Sequence, residues 1–168
     1  RLGVEVRTGC TVQNLSQSWG GYAAAAVLGG SHDVTASVCA AGFDTPLGLM
    51  RQTARRWCGP VAELGVPFLW LDQQLRFGTA ANVSGAEAAA ASGTPVLVLH
   101  GADDDTIPAD GPSLLAACQK ENAPNIRTVL LPGETHTSLL HDAQGRCNEA
   151  VFAQIDAFYA AALADGAG

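Results

Sequence analysis

The chain has 168 residues, enough to bury one core of ordinary domain size, and its 48% hydrophobic and 15% charged residues exclude intrinsic disorder. Sixteen acidic residues against nine Lys and Arg leave a net charge of −7, which argues against nucleic acid as a partner. Phosphate binding needs a basic stripe, and Arg51, Arg55 and Arg56 do not amount to one.

Gly and Pro cut the sequence into alternating strand-like and helix-like pieces. A weak strand candidate runs from about Cys10 to Leu15 and is followed by the turn Ser16-Gln17-Ser18-Trp19-Gly20-Gly21. An Ala-rich helical run, Tyr22 to Leu28, stops at Gly29-Gly30. It is far shorter than the roughly 20 apolar residues a membrane span needs. Val34 to Ala40 reads as a short apolar strand. The stretch 43–93 fits the rhythm poorly: Trp57, Phe68, Trp70 and Phe77 stand among Gly, Pro and Arg, as in an irregular helical insertion. Its end, Thr79 to Gly93, is Ala-rich and reads as a mobile helix or a linker. Pro95 to Leu99 is the best strand, a continuous apolar run of the kind buried on both faces of a parallel sheet. Ser113 to Gln119 reads as a crossover helix and Ile126 to Leu131 as another strand. The chain closes with Val151, Phe152, Ile155, Phe158, Tyr159 and Ala162 on one helix face. Strands alternating with helices predict an α/β fold, a mostly parallel sheet with flanking helices.

Five cysteines are scattered without a CxxC pair. No zinc site is expected from them, and free thiols in a reducing, cytoplasmic compartment are the expected state. The sequence opens at Arg1 without a signal-peptide pattern.

Three segments can carry chemistry. Ser18 falls on a turn between a strand candidate and a helix, where a hydroxyl is exposed and a helix N-terminus favours negative charge. Ser16 and Gly20 are small enough for the two arms to pack closely; the competing use of such a serine is as a helix cap. Directly after the best strand, His100-Gly101 leads into Asp103, Asp104 and Asp105, and a carboxylate at the carboxyl end of a parallel strand lies where ligands bind. The competing reading is a solvated acidic loop. After the last strand, Pro132-Gly133-Glu134-Thr135-His136 offers a histidine that can act as general base if a carboxylate orients its other nitrogen. His141 and His32 are further candidates.

Taken together, SWGGYAAAAVL, SHDVTASVCAAGF, TPVLVLHGADDDTIP and PGETH resemble the carboxyl-terminal two thirds of an α/β-hydrolase of the serine-esterase/aminopeptidase-like group, with the chain order Ser, Asp, His. The resemblance implies Ser18 as nucleophile, Asp104, four residues before Pro108, as orienting acid, and His136 as base. It also implies the Trp19 N–H as an oxyanion donor. Ser16-Gln17 stands where the family usually has Gly-His.

The expectation is therefore one α/β-hydrolase-like domain over 1–168, with 43–93 as a cap insertion whose aromatic residues face an apolar part of the substrate. Its activity would be hydrolysis of a small-molecule carboxylic ester or amide through an acyl-enzyme, with no cofactor and no metal. Residues 1–17 leave no room for the family's first strands or its second oxyanion donor, so weak turnover and self-association are expected of this chain. The alternatives are a non-catalytic hydrolase-like domain and a flavodoxin-like nucleotide-binding domain; the second lacks a Gly-rich phosphate loop.

Overall fold

The computed structural model describes residues 12–30, 33–142 and 144–165. At its centre lie four parallel strands, β1 (Val12–Gln17), β2 (Val34–Ala40), β3 (Val96–Gly101) and β4 (Ile126–Leu131). Their order in the sheet is their order in the chain. Helix α1 (Trp19–Ala26) links β1 to β2. Helices α2 (Pro46–Cys58), α3 (Val66–Phe77) and α4 (Gly85–Ser92) lie between β2 and β3. Helix α5 (Leu114–Glu121) links β3 to β4, and α6 (Glu149–Asp165) follows β4.

Alternation along the strands builds two apolar layers. On β3, Val96 and Val98 face one layer with Ala24, Ala25 and Leu28 of the α1 segment, Ala86 and Ala89 of α4, and Leu114 and Leu115 of α5. Leu97 and Leu99 face the other, with Leu139, Leu140, and Val151 and Ile155 of α6. Every residue of β3 is buried, as its uninterrupted apolar run predicts.

Two expectations change. Cys10 lies outside the described residues, and β1 runs on through Ser16 and Gln17, so the expected six-residue turn contracts to Ser18 alone. Small residues permit this. A Cβ on Gly21 would stand 3.0 Å from the Ala40 carbonyl oxygen, and one on Gly20 would stand 3.2 Å from Ser16 Cβ. The Ala-rich segment before Gly93 is no linker. Ser84 caps α4 by accepting from the Glu87 N–H at 3.1 Å, and Gly85, Ala86, Ala88 and Ala89 are buried. Alanine serves here because α4 packs close to α1: a Cβ on Gly85 would lie 3.2 Å from Ala25 Cβ.

What stands away from this body is the stretch 46–80. Its two feet are joined: Asp44 Oδ1 accepts from the Ser84 hydroxyl at 2.7 Å and the Ala86 N–H at 3.0 Å, and Asn82 Oδ1 accepts from the Leu47 N–H at 3.1 Å. Between the feet, α2 buries none of its residues and α3 buries only Gln73.

Candidate active site

Ser18 follows β1 directly and has φ 57° and ψ −120°, a conformation an L-residue adopts only under constraint. Its N–H donates to the Ala40 carbonyl at 2.9 Å, and its own carbonyl accepts from the Tyr22 N–H at 3.1 Å, so sheet and helix hold the turn from both sides. As the first residue of α1, Trp19 carries one of the backbone N–H groups that a helix leaves without an intrahelical partner. Its ring meets buried Phe43 edge-on, with centroids 4.6 Å apart, and Phe43 in turn stacks on Tyr22.

Asp104 lies in the loop after β3 with its side chain fully buried. Its Oδ1 accepts from the N–H groups of Thr106 and Ile107 at 2.9 and 2.8 Å. That leaves Oδ2 directed at His136 Nδ1, 2.8 Å away. Asp103 and Asp105 are exposed. Three consecutive Asp therefore serve different ends, and only the middle one turns inward. A carboxylate accepts, so Nδ1 of His136 carries the proton. Nε2 then presents its lone pair to the Ser18 hydroxyl, 3.1 Å away. His136 keeps 17% of its side chain exposed, so the serine end of this chain of hydrogen bonds is the one open to solvent.

The loop bearing His136 is braced. Gln17 Nε2 donates to the His136 carbonyl at 2.6 Å. Glu134 accepts from the Ser138 hydroxyl at 2.6 Å and from Asn148 Nδ2 at 2.8 Å. Gly101 lets this loop approach β3, since a Cβ there would overlap the Glu134 carbonyl. Sequence reasoning missed Gln17, Gly101 and Glu134 as supports; that Gly101 ends the best strand was the one available signal.

His100 was missed as well. It is fully buried beside the site, and its Nε2–H donates to the Ile107 carbonyl at 2.8 Å, 3.6 Å from Asp104 Oδ2. Its Nδ1 has no partner among the described residues. Burial lowers its pKa from the ordinary value of 6.5, against smaller opposing effects of the Ile107 hydrogen bond and Asp104. His141 forms a bridge to Cys147 and lies edge-on to Phe152, where it takes no part in this constellation; His32 lies outside the described residues. Among the described residues, no cluster of three His, Cys, Asp or Glu is arranged to hold a metal ion, and no helix is long and apolar enough to cross a membrane.

A hydroxyl hydrogen-bonded to an imidazole, itself hydrogen-bonded to a buried carboxylate, can pass a proton from oxygen to nitrogen without separating bare charges. The parallel sheet, with Ser18, Asp104 and His136 following β1, β3 and β4 in that chain order, is the arrangement of an α/β-hydrolase. Solved structures agree on the fold. A Klebsiella pneumoniae protein described as a dienelactone hydrolase matches over 88% of this chain and 51% of its own, with TM-score 0.56 and 17% identity. A Pyrococcus furiosus esterase matches over 87% and 51%, with TM-score 0.56 and 14% identity. A Mycobacterium smegmatis proline iminopeptidase matches over 92% and 67%, with TM-score 0.53 and 13% identity. Residues 16–166 match the prolyl oligopeptidase family, and the chain belongs to that family. No curated protein matches it. The chain spans about half the length of the first two of these structural relatives.

Proposed function

We propose that this protein is a serine hydrolase that cleaves a carboxylic ester or amide through an acyl-enzyme. Ser18 Oγ attacks the substrate carbonyl carbon while His136 Nε2 takes the hydroxyl proton. Asp104 holds His136 in the tautomer that leaves Nε2 free and stabilises the imidazolium that forms. The Trp19 N–H donates to the developing oxyanion at the positive end of α1. Collapse of the tetrahedral intermediate breaks the bond to the leaving group, which takes the proton from His136. Water, deprotonated by His136, then releases the acid and restores Ser18. The observation that carries this reading is the unbroken chain Ser18–His136–Asp104, with links of 3.1 and 2.8 Å, starting from a serine at φ 57°. Family membership supports the reaction class. The names of the structural relatives, an esterase and an iminopeptidase among them, keep both ester and amide substrates within it.

In the same reading, 43–93 includes the cap over the acyl site, with 46–80 as its outer part and its apolar side chains supplying the wall for an apolar portion of the substrate.

A fluorophosphonate probe tests the assignment. It is expected to label the protein once, at Ser18, with labelling abolished in Ser18→Ala and strongly slowed in His136→Ala. Undiminished labelling of Ser18→Ala would place the reactive group elsewhere.

A further inference from the structure

The cap reading accounts for the apolar side chains of 46–80 but not for the arginines on α2. Arg51, Arg55 and Arg56 line an open cavity of about 800 Å³, whose far wall is Asp105 and Pro108. Asp105 follows the residue that holds His136, so this wall and the carboxylate that orients His136 belong to one loop. In a chain of net charge −7, three of the nine Lys and Arg stand at one cavity, with Asp105 as the acidic residue of its lining.

The three are not equivalent. Glu63 neutralises two of them: it accepts from Arg51 Nε at 3.0 and 2.9 Å, and lies 3.3 Å from an Arg55 terminal nitrogen. Arg56 has no carboxylate partner among the described residues. One of its terminal nitrogens donates a 2.6 Å hydrogen bond to the Asp105 carbonyl. That bond fixes the guanidinium at the cavity wall and leaves most of its planar fork of donors unused.

We infer that this cavity binds a carboxylate, and that the carboxylate belongs to the substrate: an ester or amide whose acyl part carries a second, ionised acid group, held by Arg56. The inference rests on the hydrolase reading above and names the substrate class of that site. A guanidinium fixed by one backbone bond presents a rigid pair of parallel N–H donors, the geometry that takes a carboxylate bidentately. In this proposal one ligand spans from Arg56 past the Asp104 loop to Ser18.

The test compares two esters of one leaving group, p-nitrophenyl hemiglutarate and p-nitrophenyl butyrate. The ratio of kcat/KM for the anionic over the neutral ester is expected to fall about tenfold or more in Arg56→Gln, chiefly through KM, the scale of one lost charge-assisted hydrogen bond. The same ratio is expected to rise in Glu63→Gln, which removes the carboxylate competing for this cluster. An unchanged ratio in Arg56→Gln overturns the inference. A second arm does not depend on turnover: glutarate binding to Ser18→Ala, followed by calorimetry, is expected to weaken with rising salt and to be lost in Ser18→Ala/Arg56→Gln. Glutarate binding without ester hydrolysis by the wild type would sink the hydrolase reading while keeping an anion site, with a free anion as its ligand. Hydrolysis of the neutral ester without glutarate binding would sink the carboxylate site alone.

Discussion

The strand-end loops and the helical stretch 46–80 are built on opposite principles. At the strand ends almost every group is held by something rigid. Ser18 hangs between the Ala40 carbonyl and α1, Asp104 is fixed by two backbone N–H groups, and the His136 backbone is tied to Gln17. In 46–80 the large apolar side chains are left uncovered: Trp57 is 83% exposed, Leu75 79% and Phe68 74%. Its internal ties are surface ion pairs such as Arg51–Glu63 and Arg76–Asp72, which contribute little to stability. One region is over-determined, as a constellation that must hold angles and distances requires. The other buries little, so rearranging it costs little. A sequence spends its glycines and buried polar groups where geometry matters, and its exposed aromatics where adaptability does.

The sharpest way to break this contrast is to change one atom at the rigid site. Asp104→Asn keeps an oxygen for the Thr106 and Ile107 N–H groups, so the loop should survive. It also puts an amide N–H opposite His136 Nδ1, which then must accept, and the proton moves to Nε2, where it blocks transfer from Ser18. Turnover of an activated ester should fall by about 10⁴-fold. Asp103→Asn and Asp105→Asn, at exposed positions on either side, should change it by less than about threefold. Similar losses for all three would mean that the loop's net charge, not the directed carboxylate, matters.

A stability comparison comes next in size. Gly101→Ala forces a methyl into the Glu134 carbonyl, where backbone must move, and should cost about 3 kcal/mol by chemical denaturation. Phe68→Ser removes a far larger side chain from an exposed position and should stay within about 0.5 kcal/mol. If Phe68→Ser were the more damaging of the two, 46–80 would be packed against a surface and not adaptable at all.

The sheet was legible because β2, β3 and β4 are apolar runs whose period needs no long-range information. Ser18, Asp104 and His136 were legible because each follows a strand, and because their order along the chain resembles a known one. The limits are instructive. β1 reads as weak because Gln13, Asn14, Ser16 and Gln17 are polar; it pairs with β2 all the same, so pairing outweighed intrinsic propensity. The α4 alanines looked like low complexity because close helix packing selects small side chains, and composition alone does not distinguish that from a linker. The contacts of Arg56 with Asp105 and of His100 with Ile107 were invisible in the sequence, since they join residues 49 and seven positions apart.

His100 sharpens the comparison with the smallest expected effect. It is a buried titratable side chain of the rigid region, and its pKa is lowered chiefly by burial, with the Ile107 hydrogen bond and Asp104 opposing and His136 reinforcing the shift. The unfolded chain therefore takes up a proton near the ordinary value of 6.5 while the folded chain does not. Stability rises with pH wherever the unfolded state binds more protons, so this group costs nothing at pH 8 and removes stability as the pH falls through about 6.5 and below. In His100→Gln that particular loss is absent. The variant should be less stable than the wild type at pH 8, because the bond to the Ile107 carbonyl is disturbed, but its melting temperature should decline less steeply between pH 7 and 5. Phe68→Ser, which changes no titratable group, should follow the wild-type slope. A His100→Gln profile parallel to the wild type across that window would mean that His100 binds its proton equally well in the folded and the unfolded chain, and a steeper decline would mean that Asp104 holds the buried ring as a cation.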